Sequence, residues 1–114
     1  MKNAESKALI ALLTMAYQID NKLETREADL MDSIVNAANE EWDPADISLK
    51  SFIGIIRAES IHAIDHKAEP KFVKKYLRVA NNPDTIKALV NKMVAADEVI
   101  TTREQDFLRL IEAA

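Results

Sequence analysis

Apolar residues recur along this chain at spacings of three and four, and nowhere do they alternate long enough to suggest a strand. Leu9, Leu12, Leu13, Ala16 and Ile19 mark one stripe, which predicts a helix over about 4–19. Leu30, Met31, Ile34, Val35 and Ala38 predict a second over about 24–39. Asp43-Pro44 reads as a helix start, so a third helix is expected over about 45–65. It should turn Leu49, Phe52, Ile53, Ile56, Ile61 and Ile64 inward, with Ile55 widening the stripe. Gly54 inside it costs about 1 kcal/mol relative to Ala, and close helix packing is the expected compensation.

A connector over 66–70 leads to a fourth helix, about 70–80, carrying Phe72, Val73, Tyr76, Leu77 and Ala80. Asn81-Asn82-Pro83-Asp84 is a turn, with Pro83 placed to open a fifth helix over about 83–96. Its inward residues are Ile86, Leu89, Val90, Met93 and Val94. A last helix, about 102–112, carries Phe107, Leu108 and Ile111. The expected fold is all-α: one domain over 1–114, with six or seven helices and short linkers.

One stretch occurs twice. Asp20-Asn21-Lys22-Leu23-Glu24-Thr25-Arg26-Glu27 returns as Asp97-Glu98-Val99-Ile100-Thr101-Thr102-Arg103-Glu104. Each copy opens with Asp, has an aliphatic residue three later and closes Thr-Arg-Glu. At the same offset Ala11-Leu12 matches Ala88-Leu89, Asp29 matches Asp106, Ile34 matches Ile111 and Ala37 matches Ala114. Internal repeats decide a fold, so two helix-turn-helix units related by a pseudo-twofold are expected, joined by a helical middle. Leu12 with Leu89, and Ile34 with Ile111, should then occupy equivalent buried sites.

The octad can be a helix connection and nothing more. Thr101-Thr102-Arg103-Glu104 fits a capping box, and Glu27 falls in a first turn, where the helix dipole favours an acid. Asp20 and Asp97 fit that picture less well, because each closes a helix, where the dipole disfavours a carboxylate by about 0.3–1 kcal/mol. A tight turn would bring the Asp at the first position of the octad near the Glu at the last. Doubled by the repeat, Asp20, Glu27, Asp97 and Glu104 would form a four-carboxylate cluster. Oxygen-only ligands suit Ca2+, Mg2+ or Mn2+.

The doubled pattern D-[NE]-x-[LI]-x-x-x-E between helices resembles the tellurite-resistance TerB-like family over most of the chain. That resemblance implies a TerB-like helical domain whose motif acids, here Asp20 with Glu27 and Asp97 with Glu104, hold a divalent metal. It further implies a role in tellurite resistance or a related metal or stress response. The family's motif glycine is replaced by Asn21 and Glu98; Asn adopts the left-handed backbone readily and Glu does not. Spacing also matches the end of an EF-hand loop. There the earlier ligand positions would be Ala16 and Gln18, or Met93 and Ala95, which supply no carboxylate.

Composition narrows the rest. Net charge is -4, from 19 acids and 15 bases, which gives no electrostatic footprint for nucleic acid. There is no cysteine, so no disulfide framework or thiolate chemistry, and a reducing cytoplasm is the expected setting. Lys2, Lys7 and the apolar run from Ala8 to Ala16 resemble a leader, but Glu5 in the basic part, the missing cleavage site and the repeat of the run at Ala88-Leu89-Val90 oppose that reading. No run approaches the ~20 apolar residues of a membrane span.

His62 and His66 stand four apart near Glu59 and Asp65, so a zinc site is conceivable, although the metalloprotease Glu after the first His is missing. Trp42 is expected to pack over a helix junction rather than stand out as a partner anchor. Lys67, Lys71, Lys74, Lys75 and Arg78 make a basic face that is ordinarily just solvated. No nucleophile constellation or phosphate loop is visible, so no enzyme is expected. The alternative to cation binding is an interaction module that recognises a protein partner over the repeat scaffold.

Overall fold

The computed structural model describes residues 3–19, 25–95 and 101–114, with the side chains of the second helix described from Met31 onward. All of the regular structure among these residues is helical: α1 (Asn3–Gln18), α2 (Thr25–Glu41), α3 (Leu49–Asp65), α4 (Glu69–Val79), α5 (Pro83–Ala95) and α6 (Thr102–Ala113).

α1 is the centre. Every residue from Ala8 to Tyr17 is buried, not one stripe of them. A helix that is apolar all round has to be enclosed, and α2, α3, α4 and α5 each pack against α1. Thr14 is tolerated there because its hydroxyl donates to the Ile10 carbonyl at 2.7 Å. At the other end of the helix, Gln18 accepts a hydrogen bond from Ser60 of α3, and Ile19 closes the last turn with its amide on the Met15 carbonyl.

The outer helices bury one stripe each. α3 turns Leu49, Phe52, Ile56, Ser60 and Ala63 inward. Ile53 and Ile64 only border the core, and Ile55 and Ile61 are each 49% exposed, contrary to the expectation that both face inward. A single face of one helix spans too few positions to cover seven large residues. Gly54 also departs from expectation: a Cβ built there would meet nothing within 4 Å, so it mediates no close packing.

α3 begins four residues later than Asp43-Pro44 predicts. Asp43 accepts from the Ala45 amide at 2.9 Å, closing an Asx turn. The cap is Ser48, whose hydroxyl accepts from the Ser51 amide at 3.2 Å. The 42–48 segment is then held against α1. Asp46 takes Lys7 at 2.7 Å and the Asn3 side-chain amide at 3.1 Å. Trp42 donates to the Ile47 carbonyl at 2.8 Å and packs tilted on Phe52, so it does cover the α2–α3 junction.

α3 ends in a Schellman motif: the Lys67 amide donates to Ile64 and the Ala68 amide to Ala63, at 3.2 and 2.7 Å. Lys67 takes the left-handed position with φ 52. α4 then returns beside α3 with Phe72, Val73, Tyr76 and Leu77 inward. The turn into α5 forms as its sequence predicts, with Asn82 accepting from the Thr85 amide and Pro83 opening the helix. α5 buries Ile86, Val90 and Val94, and α6 buries Phe107 and Ile111 against the same core.

Burial does not repeat with the sequence. Leu12 is fully buried while Leu89 only borders the core; Ile111 is buried while Ile34 borders it. For the first pair the cause is position, because α1 is enclosed by four helices whereas α5 shows one face to solvent.

Candidate functional site

The octads fall where α1 gives way to α2 and where α5 gives way to α6. α1 ends at Gln18, just before the first octad, and α6 begins at Thr102, inside the second.

Of the four motif acids, Asp20 and Asp97 lie outside the described residues, as does the side chain of Glu27. Glu104 is described, and it is 4% exposed. Its local role is the predicted capping box: the Glu104 amide donates to the Thr101 hydroxyl at 3.2 Å, and the Thr101 amide reaches Glu104 Oε1 at 3.4 Å. A carboxylate this far from solvent is unusual for a capping residue on a helix surface.

Arg103, the neighbour of Glu104, supplies the feature that sequence reasoning missed. Its Nη1 donates to the Ile19 carbonyl at 2.8 Å, across 84 residues. α1 has no basic residue in its own last turn. Arg103 provides from α6 the cation that the carbonyl end of a helix favours. The signal available in the sequence was the Thr-Arg-Glu identity of both copies together with the lack of any Lys or Arg between Ala8 and Asp20. The contact joins the beginning of one octad to the end of the other: Ile19 precedes Asp20, and Arg103 precedes Glu104.

Carboxylate oxygens are the right donors for a hard divalent cation. Among the described residues no group of three or more His, Asp or Glu is placed to hold a metal.

Other polar clusters have structural partners. On α3 and α4, Glu59 accepts from Lys75 at 2.6 Å and from the Tyr76 hydroxyl at 2.7 Å. Burial, and next the Glu59 carboxylate, push the Tyr76 phenol well above its ordinary range. A shallow cleft lined by Asn3, Glu41, Asp43, Ala45 and Asp46 is acidic, but Asp46 is already neutralised. Lys7, then Asn3, then the Ile47 amide hold its carboxyl below the ordinary value. His62 and His66 are both exposed and stacked, with ring centroids 4.0 Å apart. No described helix is long and apolar enough to cross a membrane.

Compared with protein-family models, curated proteins and solved structures, the chain matches none of them.

Proposed function

We propose that this chain is a divalent-cation-binding domain of the TerB-like kind, acting in tellurite resistance or a related metal or stress response. Asp20, Glu27, Asp97 and Glu104 are its ligands, and Ca2+, Mg2+ or Mn2+ is its ion. The observation that carries the reading is the Arg103–Ile19 hydrogen bond, which ties together the two chain segments bearing these acids. If the four acids converge, each raises the cost of ionising the others until a cation binds.

The test is direct titration of the protein with Ca2+, Mg2+ and Mn2+ by calorimetry, beside a Glu104→Gln variant. Gln keeps the capping box, which accepts either residue, but it removes the charge that a hard cation needs. Binding in the parent and at least tenfold weaker binding in the variant support the proposal. Equal binding in the two, or none at millimolar ion, overturns it.

The second reading is a non-enzymatic interaction module that keeps the repeat as scaffold. It is favoured by the outer face of α4, where Lys71, Lys74 and Arg78 are exposed and make no ion pair with a described residue. Exposed Ile55 and Val79 stand nearby on the α3–α4 hairpin, one turn beyond the Glu59–Lys75 pair. An acidic protein surface is the complement of such a face.

A further inference from the structure

We propose that His62 and His66 form a separate two-nitrogen site for a borderline transition-metal ion, Cu2+, Ni2+ or Zn2+, at the C-terminal end of α3. His62 lies in the last turn of α3 and His66 caps it, so a spacing of four residues puts both side chains on one face. The cap is built firmly. The Schellman hydrogen bonds of Lys67 and Ala68, with Lys67 in the left-handed region, fix the backbone on either side of His66.

The imidazole of His66 is oriented as well. Its Nδ1 lies 2.9 Å from the His62 carbonyl oxygen. A carbonyl can only accept, so Nδ1 carries the proton, and in the neutral ring Nε2 is left with its lone pair. A hydrogen bond from one ring nitrogen to a backbone carbonyl is the device that fixes tautomer and direction in metal-binding histidines.

The rings are close enough to share an ion. Their centroids are 4.0 Å apart and their planes 38° apart. Two nitrogens each about 2.0–2.1 Å from one zinc lie roughly 3 Å from each other, a separation that rings this near can reach. Both side chains are exposed, so water completes the coordination shell. Glu59 does not join the pair, because Lys75 and Tyr76 already occupy both its oxygens. Imidazole nitrogens suit Cu2+, Ni2+ and Zn2+, whereas the oxygen-only octads suit Ca2+, Mg2+ and Mn2+, so the two sites divide the metals by chemistry.

The experiment titrates the full chain with Cu2+, Ni2+ and Zn2+ in turn, in excess Mg2+, for the parent and for His62→Gln, His66→Gln and Glu104→Gln. One ion should bind per chain, Cu2+ most tightly, with nitrogen hyperfine structure in the electron paramagnetic resonance of the Cu2+ form. Either His variant should lose at least tenfold in affinity, and Glu104→Gln should lose none. His62→Gln is the decisive variant, since the His62 side chain takes no part in the helix cap and its removal leaves the fold intact. A loss of no more than twofold in the single His variants, as for two independent histidines, overturns the site. So does loss of affinity in Glu104→Gln. Failure of the octads to bind Ca2+, Mg2+ or Mn2+ leaves this result unaffected.

Discussion

Arg103 of α6 reaches the carbonyl of Ile19 at the end of α1, closing the longest sequence separation among the described hydrogen bonds. The bond caps the central helix and places a fixed positive charge at the junction of the two octads. Arg103→Ala should therefore have two effects of opposite sense. Stability should fall by about 0.5–1.5 kcal/mol, the usual net value of one hydrogen bond. Affinity for Ca2+ or Mn2+ should rise, because a competing cation has gone. Chemical denaturation and calorimetric titration measure the two. A stability loss with unchanged or weaker cation binding would leave Arg103 a cap and nothing more.

The unequal burial of repeat partners predicts unequal costs. Leu12→Ala removes a fully enclosed side chain from α1 and should cost about 2–5 kcal/mol. Leu89 borders the core from α5, so Leu89→Ala should cost clearly less. Urea denaturation of the two variants compares them. Equal losses would mean that the repeat imposes equivalent environments after all.

Gly54 lies on the exposed side of α3 with open space where its Cβ would be. Gly54→Ala should stabilise the protein by about 0.5–1 kcal/mol, through helix propensity and a less flexible unfolded chain. A melting temperature raised by several degrees is the expected readout. A fall would reveal a close approach to Gly54 in solution.

Asp46 should contribute to the acid limb of stability. Lys7, Asn3 and the Ile47 amide hold its folded carboxyl below the ordinary value of 3.8. Its contribution is therefore complete above that value and is lost as pH falls through the lower folded one. Asp46→Asn should be less stable than the parent at neutral pH, and the difference should shrink as pH is lowered past 4. A constant difference from pH 7 to pH 2 would mean that the Lys7 pair adds nothing in solution, as many surface pairs do.

Much of this fold was legible because most helices obey one rule, an apolar stripe with turn chemistry at its ends. Asn82-Pro83 and Thr101–Glu104 are local signals and they form as spelled. Asp43-Pro44 is equally local, but Asp43 spends its side chain on an Asx turn, and Ser48 caps the helix instead. The enclosure of α1 depends on how many neighbours surround it, which no stripe encodes; the unbroken apolar run Ala8–Leu13 was the available hint. Ile55 and Ile61 show the converse, apolar residues in a helical window that point to solvent. At the candidate site, the sequence located the end of α1, the start of α6 and the Glu104 capping box. It did not reveal that Arg103 would bind the far end of the other octad, because that contact depends on how α6 is seated beside α1.

The central claim is a cation held by Asp20, Glu27, Asp97 and Glu104, and thermal unfolding with and without ions tests it most directly. An ion that binds only the folded state stabilises it by about 2.7 kcal/mol at a hundredfold excess over its dissociation constant. For a domain of this size the melting temperature should rise by several degrees or more. Ca2+ or Mn2+ should produce that rise and chelator should reverse it. Asp20→Asn with Asp97→Asn should abolish it, leaving the metal-free melting temperature unchanged or higher as repulsion is relieved. A melting temperature flat across millimolar Ca2+, Mg2+ and Mn2+ would contradict the claim and leave the octads as helix junctions.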